Sequence, residues 1–151
     1  MLRYVGASGV LSALPTHLNR ISLNLAELNP MPSVDRSGTR IAFDSSAGDF
    51  SGIGVFDADL TLLGALPGTT AAVAFSPDPA GPATRAYTVD GCKVRAFDLG
   101  LQAAGSFTEI TAAPYPIDIG CLGNHPRLLL TPDGHTAILA GDQQIVIVGT
   151  P

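Results

Sequence analysis

Val73-Ala74-Phe75-Ser76-Pro77-Asp78, a Pro/Gly-rich connector, Arg85-Ala86-Tyr87-Thr88-Val89, the turn Asp90-Gly91, and Lys93-Val94-Arg95-Ala96-Phe97-Asp98-Leu99 follow one another in a chain of 151 residues. Each apolar run is short, rich in β-branched and aromatic residues, and bounded by Pro, Asp or Gly. That combination reads as three strands separated by two turns. Working outward, the same features recur on both sides at blade-like distances.

Three windows align on a strand, turn, strand pattern: Ser33 to Phe43, Phe75-Ser76-Pro77-Asp78 with Arg85-Ala86-Tyr87, and Leu130 to Ile138. Asp35, Asp78 and Asp133 mark the turn in each, at separations of 43 and 55 residues. The second gap reads as one unit plus an insertion of about a dozen residues, within the ~40 to 50 residue periods of propeller blades. The later half of the unit repeats as well, with Phe56-Asp57 to Leu66 lying without gaps against Phe97-Asp98 to Phe107.

The expectation is therefore an all-β chain forming a partial β-propeller of about 3.5 four-stranded antiparallel blades and about thirteen strands. It consists of a blade part over 1–15, blades over 32–66 and 71–110, and a further blade part over 126–151. A β-sandwich is the alternative, because regularly spaced strands suit it too. Reuse of Phe-Asp and Pro-Asp at matching offsets favours the propeller. Closed rings have four to eight blades, so the ring needs completing. Missing blades of a longer chain are the favoured source, and self-association into a two-copy ring is the alternative.

Composition agrees with strands. Seventeen Gly and twelve Pro, with 14% charged residues, suit short strands and tight turns better than helices. A net charge of -5 leaves no basic surface for phosphates, so no nucleic-acid partner is expected. No apolar run reaches the ~18 residues of a spanning helix, so no helical membrane insertion is expected either.

The run from Val73 to Leu99 resembles the bacterial propeller repeats called YVTN or WD-repeat-like, as does Pro126 to Leu139. Phe-Asp stands where true WD repeats carry Trp-Asp, and the chain has no tryptophan. The resemblance implies a fold rather than an activity. Related propellers include envelope and secreted proteins and lactonase-like enzymes.

Antiparallel blades send their B to C turns and D to A crossovers to one face, and the longer loops of this chain lie there. Long loops on a rigid scaffold are where binding residues concentrate. Asp44, Asp49, Tyr115, Asp118, Asn124 and His125 are accordingly the binding-face candidates. For 44–49 a solvated Ser/Gly hairpin is preferred to a cation loop, and for 111–125 a surface loop stiffened by Pro114, Pro116 and Pro126 is preferred to a catalytic site. The recurring aspartates read as turn residues accepting backbone N–H bonds, with Asp57 and Asp98 in the turn after strand C. No catalytic residue, metal ligand set or cofactor is assigned.

Cys92 and Cys121 are both placed on that face. They are a candidate disulfide implying an oxidising, extracytoplasmic compartment, with two free cysteines as the alternative. The leading functional expectation is a non-catalytic binding or structural module, a segment of a larger bacterial envelope or secreted protein. The alternative is part of a lactonase-like enzyme with a cation in the central channel. That enzyme needs carboxylates on the innermost strands, where Val34, Val73, Phe75 and Leu128 to Leu130 stand instead.

Overall fold

The computed structural model describes residues 2–5, 10–13, 32–44, 53–67, 72–103, 105–123 and 126–150. Within them the chain is all strand and turn. A hairpin of β1 (Leu2–Val5) and β2 (Val10–Ala13) forms a sheet of its own. Blade 1 is the antiparallel meander β3 (Ser33–Val34), β4 (Arg40–Asp44), β5 (Ile53–Asp57) and β6 (Leu62–Leu66). Blade 2 repeats it with β7 (Ala72–Phe75), β8 (Arg85–Asp90), β9 (Lys93–Ala103) and β10 (Ser106–Ile110). After a short β11 (Ile117–Asp118), blade 3 has β12 (Arg127–Leu130), β13 (Thr136–Ala140) and β14 (Ile145–Gly149).

Period-two alternation decides how these sheets stack. Blade 1 faces blade 2 with Ala42, Val55 and Leu66 packed against Val73, Phe75, Ala86 and Phe97. Blade 2 turns its other side, carrying Ala74, Tyr87, Val94 and Ala96, to Leu128, Ala137 and Leu139 of blade 3. Each Val, Leu or Phe among them is worth ~1.5–3 kcal/mol on burial, so the two junctions form the core of the described residues. The first strand of every blade lies innermost, with β7 between β3 and β12. The outermost strands β6 and β10 touch in parallel at Ala65 and Ser106. Face-to-face sheets, each a meander from inside to outside, define a partial β-propeller.

The hydrogen bonds revise the register of the repeat. In each A to B turn one N–H bonds to the first carbonyl of the second strand: Asp35 to Arg40 (2.9 Å), Ser76 to Arg85 (3.0 Å) and Thr131 to Thr136 (2.9 Å). Asp35 is thus equivalent to Ser76 and Thr131, while Ser37 corresponds to Asp78 and Asp133. The same side-chain pair closes all three turns, with Ser37 donating to Asp35 at 2.7 Å, Ser76 to Asp78 at 2.6 Å and Thr131 to Asp133 at 2.5 Å. Blade 1 simply carries its carboxylate and hydroxyl in exchanged order, so the three aspartates share a turn without sharing a position.

A second revision concerns Asp98. Asp57 caps a turn after β5, accepting from the Asp59 and Thr61 N–H groups at 2.9 and 2.8 Å. Asp98 instead lies inside β9 and accepts from Gly100 N–H at 2.7 Å. The ladder to β10 jumps there, pairing Phe107 with Gln102 but Thr108 with Asp98. The same capping chemistry makes a bulge in mid-strand rather than a turn.

Candidate functional site

The face bearing the B to C turns and the blade 2 to blade 3 crossover is built around a disulfide. Cys92 stands in the β8–β9 turn and Cys121 in the crossover; their sulfurs are bonded, with Cα atoms 4.1 Å apart. Beside them β11 runs antiparallel to β9, pairing Ile117 with Val94 and Asp118 with Lys93. Ile119 N–H reaches the Cys92 carbonyl at 2.9 Å. β11 thus takes over the edge of β9 that β10 leaves bare. Further on, Gln144 donates to the Cys121 carbonyl at 3.1 Å. A Cβ on Gly141 would run into the Leu122 carbonyl. The crossover therefore fastens the B to C turn of blade 2 to that of blade 3.

This role differs from a surface loop. Tyr115, Ile119 and Leu122 of the crossover are buried in the junction between blades 2 and 3, alongside Val89, Val94 and Leu139. The Tyr115 ring meets Tyr87 with centroids 6.0 Å apart. Burial, then the neighbouring Tyr87, push its hydroxyl pKa well above the usual phenol value. The hydroxyl is therefore neutral throughout the ordinary pH range, and its side chain is not presented on the face. Asp118 is exposed and accepts from Gly120 N–H at 3.1 Å. Asp44 closes β4 opposite Ile53. Asp49, Asn124 and His125 lie outside the described residues.

Two charged constellations reach further than the sequence indicates: the Arg95 cluster, which it does not single out, and Asp35, for which it indicates the turn but not the bond across the junction. The Arg95 guanidinium, on β9, grips Glu109 of β10 with two bonds of 2.8 and 2.5 Å, and reaches Asp90 at 3.0 Å and the Pro67 carbonyl of blade 1 at 3.1 Å. It also lies over the Phe97 ring at 5.2 Å. The hydrogen bonds from Arg95 hold the Glu109 carboxyl below its ordinary value. Alternation around Arg95 identifies its sheet face, but its partners on three other segments have no sequence signature.

The second is Asp35, buried at the junction of blades 1 and 2. It accepts from Thr39 N–H at 2.8 Å, Arg40 N–H at 3.0 Å and, across the junction, Ala83 N–H at 3.0 Å. Burial pushes its carboxyl up, but the donors at Arg40, Ser37, Ala83 and Thr39 together outweigh it and leave the pKa lowered. Asp78 is lowered by the same balance, with burial opposed by Ser76, Thr84 and Arg85. Asp133 is lowered by the Thr131 hydroxyl and the His135 N–H.

A cleft of about 310 Å³ lies where the innermost strands converge. Ser33, Val34, Ala74, Phe75, Leu129 and Pro132 are among its walls, with Arg36 its one charged lining residue. Among the described residues no three His, Cys, Asp or Glu side chains come together as a metal site would need. No helix among them is long and apolar enough to cross a membrane.

Comparison with known proteins agrees with the architecture. No family model and no curated protein sequence matches the chain. Among solved structures it is similar to the Neurospora crassa Pan2 WD40 domain, at 17% identity and a TM-score of 0.50, over 82% of this chain and 38% of that one. The fold is accordingly a partial β-propeller, similar in architecture to that WD40 domain. The chain spans well under half the length of the domain it resembles.

Proposed function

We propose that the chain is a non-catalytic binding or structural module of a bacterial envelope or secreted protein. One observation carries the reading: the shifted carboxylates Asp35, Asp78, Asp133 and Glu109 are each engaged by a turn or an inter-strand clamp. Strongly perturbed groups gathered in a cleft would mark chemistry. Here the perturbations belong to the scaffold, and the cleft is walled mostly by apolar side chains, with Ser33 and Arg36 as its polar members. The Cys92–Cys121 bond supports an oxidising compartment, where structural disulfides persist. The YVTN-like repeat supports a bacterial source.

The lactonase-like alternative predicts a divalent cation on the axis. Calorimetric titration with calcium, paired with a lactone hydrolysis assay, is expected to give neither binding heat nor turnover. Saturable cation binding accompanied by hydrolysis overturns the proposal. Mass spectrometry after alkylation without reductant, on protein secreted to the periplasm, is expected to find both cysteines protected.

A further inference from the structure

The register makes each position of one blade comparable with a position in the next. The row that a blade turns toward its successor is Ser33, Ala42 and Val55 in blade 1, Ala74, Tyr87 and Ala96 in blade 2, and Leu129, Ile138 and Ile147 in blade 3. In the first two blades that row is mostly small, and Ala42, Val55, Ala74, Tyr87 and Ala96 are buried in the junctions. In blade 3 every member is a large aliphatic. Leu129, Ile138 and Ile147 are 65%, 37% and 67% exposed, and Ile145, on the same side of β14, is 70% exposed. This face of blade 3 therefore departs from the internal junctions in bulk as well as in exposure.

Area, charge and shape together say what covers it. The four side chains expose roughly 400 Å² of contiguous aliphatic surface, the extent at which a patch marks an interaction site. Two such faces in contact, with the residues around them, bury on the order of 1,000 Å², which reaches the size of a specific protein–protein interface. A net charge of -5 disfavours contact between copies elsewhere on the surface. Here β12, β13 and β14 turn no carboxylate outward, and Arg127, at one corner, is the single charged residue on that side of the three strands. An aliphatic centre free of charge is the composition of an interface core. The small row of blade 1 admits Phe75 and Phe97 of blade 2. A uniformly large row leaves no such recess, whereas two flat aliphatic rows interdigitate as the inner faces of a β-sandwich do, about 10 Å apart.

We propose that a second copy of this chain covers the face. The Leu129–Ile138–Ile147 row of each copy packs on the same row of the other, about a two-fold axis lying between the two sheets. Such an isologous contact closes on itself, so the assembly stops at a dimer. It forms on the side of blade 3 turned away from blade 2 and leaves both junctions inside the chain as they are.

Light scattering after size exclusion tests this on the whole 151-residue chain. The expected mass is twice 15.4 kDa and does not grow on further concentration. Leu129→Asp and Ile147→Asp are each expected to give a monomer with an unchanged far-ultraviolet circular dichroism spectrum. Leu101→Asp, at a position of β9 that is 57% exposed, is expected to keep the dimer. Ile138→Cys, in the middle of the row, is expected to link two copies through that residue on mild oxidation, because a two-fold contact sets the position against itself. A wild-type chain that stays monomeric at its highest soluble concentration overturns the proposal, and so does a mass that keeps rising with concentration. A dimer that survives Leu129→Asp also overturns it, since the contact would then lie at the edge of β14 or on another surface.

Discussion

The carboxylate of Asp35 binds donors from two blades, and its exchange with Ser37 makes the turn separable from the clamp. Asp35→Asn keeps the shape but replaces an acceptor with one that carries donors of its own, opposite N–H groups. The expected cost is about 2 kcal/mol, from weakened bonds to a charged acceptor and strained partners. The double change Asp35→Ser with Ser37→Asp restores the order of blades 2 and 3. It should keep the turn and lose only the bond to Ala83 N–H, costing ~1 kcal/mol by urea denaturation. A double variant as damaged as Asp35→Asn would show that order, rather than the pair itself, holds the turn. Composition and turn chemistry announce an aspartate in this turn. They do not announce which of two slots, two residues apart, it fills, because hydroxyl and carboxylate close the same ring from either side.

At the scale of elements, the crossover 111–123 departs most from a reading of its sequence. Two prolines and scattered polar residues suggest a stiff surface loop, and only burial reveals that Tyr115, Ile119 and Leu122 form part of a core. Period-two alternation, which makes β4, β5, β8 and β13 legible, has no purchase on a segment that contributes a two-residue strand and then single inward side chains. The disulfide was within reach of the sequence because both cysteines fall in connections that topology sends to one face. Tyr115→Ala is expected to cost roughly 3 to 5 kcal/mol, as other large-to-small aromatic truncations do. Reduction of Cys92–Cys121 releases a loop with a sequence separation of 29 residues and should cost about 3 kcal/mol in the loop-entropy account. Both can be read as shifts in denaturation midpoint, the second with and without reductant on one sample. A midpoint indifferent to reductant would show the crossover held by its packing alone. The Arg95 clamp is the other element-scale device. Arg95→Ala leaves Glu109 and Asp90 facing each other partly buried and is expected to cost about 2 kcal/mol, between exposed and buried ion pairs.

For the molecule as a whole, four carboxylates share one direction. Asp35, Asp78, Asp133 and Glu109 are all held below their ordinary values. A lowered folded pKa stabilises above the unfolded value, near 4, and that stabilisation is lost as pH falls through the folded pKa. Unfolding midpoints should therefore stay level from neutral pH to about pH 5 and fall below pH 4, with a shallower fall in Asp35→Asn. A midpoint that rose on acidification would contradict the sign for all four. The order of the blade strands at this scale follows from repeats visible in the chain, whereas the short β11, outside the repeat, and the face each sheet turns to its neighbour emerge only once register is known. The interchangeable pair in the A to B turns carries a wider consequence. A blade specified by possessing one hydroxyl and one carboxylate, in whichever order, can drift past a Pro-Asp pattern without changing shape. Rings of such blades will be undercounted wherever blades are counted by spelling, and the missing ones are better sought by the bond each turn has to close.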